Sequence, residues 1–405
     1  TTGNYNTAVG TYSLDANTTG ASNNAFGYAA LGANTTGTEN TAVGHQSLDA
    51  NTTGSNNTGI GFQVLSGNTT GARNTAVGNG ALQVATTADD NTALGTAAGY
   101  DLTTGHDNTI VGAYAGTNIT TGEYNVAVGR SALAANTTAN NNTAIGYICL
   151  TSNTTGANNT AVGADALDSN TTGARNDAFG YLALTANTTG NDNSAFGAAA
   201  LDANTTGEFN VGFGRDALGS NTTADNNTAV GYQSLISNTT GARNTAVGQR
   251  SLNANTTASY NTAVGGVALT ANTTGAGNAA LGDAALYANT TGSNNTGIGK
   301  DALYTTTTTS NNTAVGYFSL KANTGTENTS VGSYANYTNT SGGQNSSLGY
   351  NALGANTTGS NNVAVGKSAL SSNTTGEQNT AIGSRSLELC TTGGYNVAVG
   401  YYSLP

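Results

Sequence analysis

The sequence predicts an all-β fold: a parallel β-solenoid (β-roll) of 24 coils on a 17-residue repeat. Three observations predict it. A glycine after a short apolar stretch, as in Asn6-Thr7-Ala8-Val9-Gly10, returns every 17 residues from Gly10 to Gly316; after one deletion in Ala322-Asn323-Thr324-Gly325 it resumes from Gly332 to Gly400. Fixed short periods mean a stack of similar units, none able to bury its own apolar face. A 17-residue period is also too short for the helix pairs of common helical repeats, which need about 33 to 47 residues. Finally, Gly and Asn at fixed places disfavour helix. The consensus reads N-T-A-V-G-Y-x-A/S-L-x-A-N-T-T-G-x-x, with positions numbered 1 to 17 below, and the array is read as one continuous unit over residues 1–405.

Each coil is justified in order. Positions 1 to 5, such as Asn40-Thr41-Ala42-Val43-Gly44, are expected to form one strand, and positions 8 to 11, such as Ser47-Leu48-Asp49-Ala50, a second. Asn51-Thr52-Thr53-Gly54 is turn chemistry, in which Asn and Gly supply conformations closed to most residues. Coils stacked at about 4.8 Å would make a rod of roughly 115 Å. Position 4 is Val, Phe, Ile or Leu in every repeat and is expected to face the core, with position 9, almost always Leu. Strand alternation puts position 2 on the face of position 4. It is usually Thr and becomes Val126, Val211, Val363 and Val397, but Asn24 and Asp177 do not suit a core. Position 10 (Asp15, Ser66, Lys321, Glu388) varies freely and is expected to face water.

Gly99 and Gly116 replace the position-9 leucine in adjacent coils, and there position 12 changes from Asn to Leu102 and Ile119. The apolar bulk has moved three residues along in both coils together, which reads as repacking of a core. Asn336, the third exception, follows the deletion and is read as a local bulge. Positions 3 and 8 are small except at Ile110 and Val64, and Cys149 in the second column is read as a small buried residue. The small columns fit close packing inside a coil or contact with another chain. Two large apolar residues per coil fall well short of the entropy of ordering 17 residues. Backbone ladders, Asn stacks and association are expected to cover the gap.

Charged residues make up 8% of the chain, against about 25% in ordinary domains, so the surface must be mostly Asn, Thr, Ser and Gly. Periodic apolar residues and a single proline argue against disorder. A net charge of −11 with ten scattered basic residues offers no footprint for nucleic acid or anionic lipid. No segment approaches the roughly 18 apolar residues of a membrane span. Cys149 and Cys390 lie 14 repeats apart, too far for an intrachain disulfide in an extended stack. With no methionine, the chain is read as a processed product or a segment of something longer.

No catalytic, cofactor-binding or metal-ligating constellation is apparent, and the chain is not expected to be an enzyme. His45 and His106 occupy variable turn positions and read as solvated side chains; Asp89 and Asp90 are the one adjacent acidic pair, at most a weak cation site. The Asn-Thr-Thr turns match the N-glycosylation acceptor but read first as turns. Tyr28, Tyr147, Tyr181, Tyr232, Tyr317, Tyr350, Tyr401 and Phe62 occupy position 6, and Tyr5, Tyr124, Tyr260 and Tyr395 position 17. Two readings stand for these rings: sealing the edges of the core, or gripping sugars or neighbouring fibres.

At N-T-A-V-G-x-x-S-L-x-A the chain resembles the head repeats of trimeric autotransporter adhesins. It is still more similar to the N-T-A-x-G-Y-x-A-L-x-x-N-T-T-G arrays of phage tail-fibre and related bacterial fibre proteins, as in Asn226-Asn227-Thr228-Ala229-Val230-Gly231-Tyr232-Gln233-Ser234-Leu235. The resemblance covers the whole chain. It implies a left-handed roll, three chains per fibre, and an extracellular, cell-surface or virion location holding a receptor-binding tip away from a surface. The coil is three residues longer than in the adhesin heads. The expected function is therefore a structural, adhesive fibre, with self-association as homotrimer or filament and a host surface glycan or receptor as partner. The alternative is an ice-binding solenoid using Thr rows; against it, the position-2 row is expected to point inward and the Thr pair at positions 13 and 14 falls in a turn. The ends suggest head-to-tail polymerisation, since Thr1 stands at position 13 and Pro405 at position 10.

Overall fold

The structure is a computed structural model and describes residues 2–405. Thr1, from which the head-to-tail reading starts, lies outside the described residues. The chain divides into two compact units, Thr1–Thr206 and Gly207–Pro405. Each is a parallel β-solenoid with one three-residue strand per coil: β1 (Thr7–Val9) to β12 (Ser194–Phe196) in the first unit, β13 (Val211–Phe213) to β24 (Val397–Val399) in the second. Within a unit each strand pairs in parallel with that of the next coil, residue on equivalent residue, as in Thr41↔Thr58, Ala42↔Gly59 and Val43↔Ile60. Across the deletion the spacing drops to 16, yet Thr313↔Thr329 and Val315↔Val331 stay in register. The missing residue is absorbed in the turn at Thr324-Gly325, not by a bulge.

The strand faces the opposite way from the sequence expectation. Position 3 is the inward residue: Ala42, Ala161 and Ala246 are fully buried, whereas Val43 and Ile60 at position 4 are exposed and Thr41 at position 2 is half-buried. No position-4 residue is buried in any coil. The cause is width. The interior holds the position-9 leucine, two small residues and two asparagines, and leaves no room for Val or Phe. Alternation then sends positions 2 and 4 outward together. The misfit at Asn24 and Asp177 disappears, because both stand on the outward face.

The second strand, at positions 8 to 11, is absent; those residues form turns. Positions 7 and 9 are left-handed in every coil, as at Gln46 (φ 55°) and Leu48 (φ 55°), and so is position 17, as at Asn56 (φ 61°). A left-handed residue curls the chain where a strand would extend it, at about 1–2 kcal/mol for a side chain with a Cβ. Backbone bonds nevertheless reach the neighbouring coils: Gln46 N–H to Tyr28 O at 2.9 Å, Leu48 N–H to Val64 O at 3.0 Å. Nor does the N-T-T-G turn rely on left-handed Asn or Gly, since neither Asn51 nor Gly54 has positive φ. The anchor glycine at position 5 is the one the backbone demands. Gly44 has φ +136°, and a Cβ there would approach the carbonyl oxygen of Gly61 to 2.1 Å.

Two buried asparagine columns replace much of the missing apolar core. In the position-1 column, Oδ1 of Asn23 accepts from Asn40 N–H at 3.0 Å, and Asn40 Nδ2 donates to Gly54 O at 2.8 Å. In the position-12 column, Asn51 Nδ2 donates to Asn34 Oδ1 at 3.0 Å and to Gly54 O at 2.9 Å. The Gly54 carbonyl therefore ties both columns to one turn. A third ladder runs along position 13, where Thr35 Oγ1 donates to Thr52 O at 3.0 Å. Each bond is worth about 1 kcal/mol net, and each recurs from coil to coil.

The core repacking read at Gly99 and Gly116 is present. Leu102, Ile119 and Ile110 are fully buried. A Cβ on Gly99 would meet Ile110 Cδ1 at 2.8 Å, and one on Gly116 would meet Ile119 Cδ1 at 2.8 Å. Val64 has the same explanation, because position 3 of its coil is Gly59, whose Cβ would fall 2.7 Å from Val64 Cγ1. Asn336 is not in a bulge. It fills the leucine position, fully buried, and neither amide atom has a partner.

Candidate functional site

No pocket occurs among the described residues, and no group of three or more His, Cys, Asp or Glu side chains converges there. Among the described residues no helix is long and apolar enough to cross a membrane. The chemistry on offer is that of surfaces.

The largest is the outward strand face. Most coils place Thr or Val beside Val, Ile, Leu or Phe in strict register, with Asn24, Asp177, Ser194, Ala279 and Ser346 as the exceptions at position 2. In the first unit Phe26, Ile60, Leu94 and Ile145 are exposed, and Phe179 stacks on Phe196 with centroids 4.8 Å apart. In the second, Phe213 is 56% exposed, with Leu281, Leu348 and Ile382 also exposed. Twelve coils at about 4.8 Å by a two-residue width amount to about 400 Å² per unit, the position-2 threonines included, the size of the largest patch on an ordinary monomer.

No family model matches the chain, and no curated protein matches it.

The two histidines are engaged differently. His45 lies between Tyr28 and Phe62, with centroids at 5.0 and 5.4 Å, and Tyr12 meets Tyr28 edge-on at 5.7 Å. His106 bridges two carboxylates: Nδ1 lies 2.8 Å from Asp107 Oδ2, and Nε2 3.0 Å from Glu123 Oε1. The bond to Asp107, with the Glu123 charge beside it, raises the imidazole above its ordinary value. Asp89 and Asp90 face Arg73, which binds Asp90 through two bonds at 2.6 and 2.7 Å and approaches Asp89 to 3.7 Å. That contact holds the Asp90 carboxyl below the usual range. Cys149 is buried, donates Sγ–H to Ala161 O at 3.1 Å, and burial pushes its thiol up to about 12. It is a core residue with no accessible thiolate.

The tyrosines at positions 6 and 17 do not seal the core. All those named from the sequence are exposed, Tyr5 to 88%. Sequence reading missed a denser aromatic cluster in the second unit, because it ranked columns 6 and 17 and passed over columns 7 and 10. Consecutive coils there carry Tyr287, Tyr304, Lys321 and Tyr337 at position 10 and Phe318 and Tyr334 at position 7. Tyr287 and Tyr304 stack at 5.0 Å. Tyr317 and Phe318 lie 3.9 Å apart, Tyr334 is 5.5 Å from Phe318 and 5.4 Å from Tyr337, and Tyr350 is 6.2 Å from Tyr334. The Lys321 ammonium sits 4.1 Å from the Phe318 ring centre and 5.7 Å from that of Tyr304. Reading the sequence by coil, column against column, would have found it.

Proposed function

We propose that this chain is a structural component of an extracellular, adhesive fibre of bacterial or viral origin, self-associating through its outward strand face and carrying no catalytic site. The observation that carries the proposal is the unbroken row of Val, Ile, Leu and Phe on that face, none of it buried within the chain. A second copy supplies the matching surface, because an in-register row is complementary to another of the same period. Burial of each side chain by such a copy contributes about 25 cal/mol per Å² of apolar area. Three chains per fibre and a left-handed winding follow from the resemblance to adhesin heads and tail fibres. Native mass measurement with electron microscopy tests the reading. Oligomers visible as fibres are expected; a strict monomer at high concentration overturns it.

One observation favours a second reading, ice binding. The position-2 threonines point outward, contrary to expectation, so one reason against it falls. Bulky Phe26, Phe179, Phe196 and Phe213 and the charge of Asp177 interrupt the same face, which keeps this reading second. Thermal hysteresis in dilute solution would promote it.

A further inference from the structure

We propose that the position-14 threonines are acceptors for O-linked glycosylation, so that each unit carries a row of sugars along its N-T-T-G edge. This goes beyond the fibre reading and holds whether or not copies associate.

The two threonines of that edge are placed differently. Thr52, at position 13, is half-buried, and its Oγ1 donates to Thr69 O at 2.9 Å. Thr53, at position 14, has its N–H fixed on Thr69 O at 3.2 Å, while its hydroxyl is exposed and takes part in no hydrogen bond. The same holds in every coil that has the position: among the described residues all of these side chains are exposed and none of their hydroxyls has a partner.

No bond within the chain therefore asks for a hydroxyl at position 14, yet the column keeps one. It is Thr in every coil from Thr19 to Thr308, and Ser341, Thr358, Thr375 and Thr392 follow the shortened coil. Shape does not explain this, because at outward position 2 Thr gives way to Val126, Val211 and Ala279. Polarity does not either, because position 17 takes Glu39, Asn56 and Arg73, all exposed. The Asn-linked acceptor pattern is a third explanation, since position 14 is the third residue of Asn-Thr-Thr. It fails where the asparagine is lost. Ala85, Leu102 and Ile119 stand at position 12 of three successive coils, and Thr87, Thr104 and Thr121 are kept two residues on. The asparagines are also buried, with Asn51 Nδ2 held by Asn34 Oδ1 and Gly54 O.

A surface that only hydrogen-bonds a partner can use amides and carboxylates as readily as alcohols. A demand for an alcohol alone marks an oxygen that acts as a nucleophile. In the transfer, Thr53 Oγ1 attacks the anomeric carbon of a diphosphate-activated sugar presented by a separate transferase. The new C–O bond forms as the bond from that carbon to the diphosphate oxygen breaks. The electron pair leaves with the diphosphate, and the hydroxyl proton passes to a base of the transferase. Phosphoryl groups fit the row poorly. Dianions on rungs about 4.8 Å apart repel along its whole length, in a chain whose net charge is already −11. Neutral sugars do not repel, and the rung spacing exceeds the roughly 3.5–4.0 Å of carbon–carbon contact, so single rings can stand side by side. They also supply hydration that 8% charged residues do not.

The test takes the whole chain from cells of its natural source. Intact mass should show equal sugar increments above the sequence mass, released by alkaline β-elimination and untouched by an amidase that cleaves Asn-linked glycans. Electron-transfer fragmentation should place them at position 14, including Thr87, Thr104 and Thr121. The variant Thr53→Val/Thr70→Val/Thr87→Val, expressed in the same cells, should lose the sugars of those three coils with unchanged circular dichroism, and Thr52→Val should lose none. A mass equal to that of the sequence, phosphoryl increments, sugars on Asn51 or Thr52, or none on Thr87, Thr104 and Thr121 overturns the proposal.

Discussion

At the scale of single residues, two side chains carry sharp expectations. His106 is held between Asp107 and Glu123, and its pKa is raised. A raised folded value means the protonated ring is favoured by the fold. Its stabilising contribution is therefore complete below about pH 6.5, the unfolded value, and is lost as pH rises through the folded value. NMR titration of the His106 ring should give a midpoint above 6.5, falling in Asp107→Asn and Glu123→Gln; a midpoint at or below 6.5 would count against the bridge. Asn336 presents the reverse case, a buried amide with both atoms unpaired where other coils place leucine. Each orphaned group costs about 1–3 kcal/mol. Its surroundings are also polar: Ser330 and Ser347 replace alanine at position 3, and Ser347 Oγ donates to Ser330 Oγ at 2.7 Å. Asn336→Leu should slow hydrogen exchange in its own coil and in both flanking coils. Unchanged or faster exchange would show that the serines have made the site intolerant of leucine.

At the scale of the ladder, the position-12 asparagines act as a column rather than singly. Among the described residues three acceptors in it lack a donor: Asn68 Oδ1, Asn289 Oδ1 and Asn373 Oδ1. The next residue in the column is Ala85, Thr306 or Cys390, none of which has an amide to donate. Thr306→Asn should restore Nδ2 to Asn289 and present Oδ1 to Asn323, raising stability by about 1 kcal/mol. Ala85→Asn should gain little, because Leu102 follows and the orphan merely moves one coil along. Urea midpoints of the two variants compare them directly, and equal shifts would argue against a column. This level also marks what the sequence made legible. The period, the strand position and the Gly99/Leu102 and Gly116/Ile119 exchanges could all be read, because each repeats or compensates in a column. The facing of Val43 against Ala42 could not. In a three-residue strand both alternations are apolar, and hydrophobicity pointed to valine while size, which decides in so narrow a coil, pointed to alanine. The turn at Leu48 escaped for a related reason: leucine gives no signal for a left-handed conformation, and only the geometry of the coil imposes it.

For the whole molecule, inward and outward positions should respond oppositely to charge. A lysine at Ala178, which is fully buried, places a desolvated ammonium in a core with no partner for it, and the unpaired charge should unfold the surrounding coils. A lysine at Phe179 or Phe196 sits on the outward face, where its stem can lie along the row and its head reach water. The fold should tolerate it. The association should not, because apposed copies would bring lysines together across a desolvated surface, and like charges there cost several kcal/mol. The double variant Phe179→Lys/Phe196→Lys is therefore expected to keep the circular dichroism of the parent chain, with a melt lowered by the lost ring stack and the two adjacent lysines, while shifting it to monomer in sedimentation, with partial recovery of the oligomer at high salt as the charges are screened. Ala178→Lys is expected to lose its melting profile first. If the double variant sediments as the parent does, the outward row is not the contact between copies, and the self-association proposed for this chain must use another face.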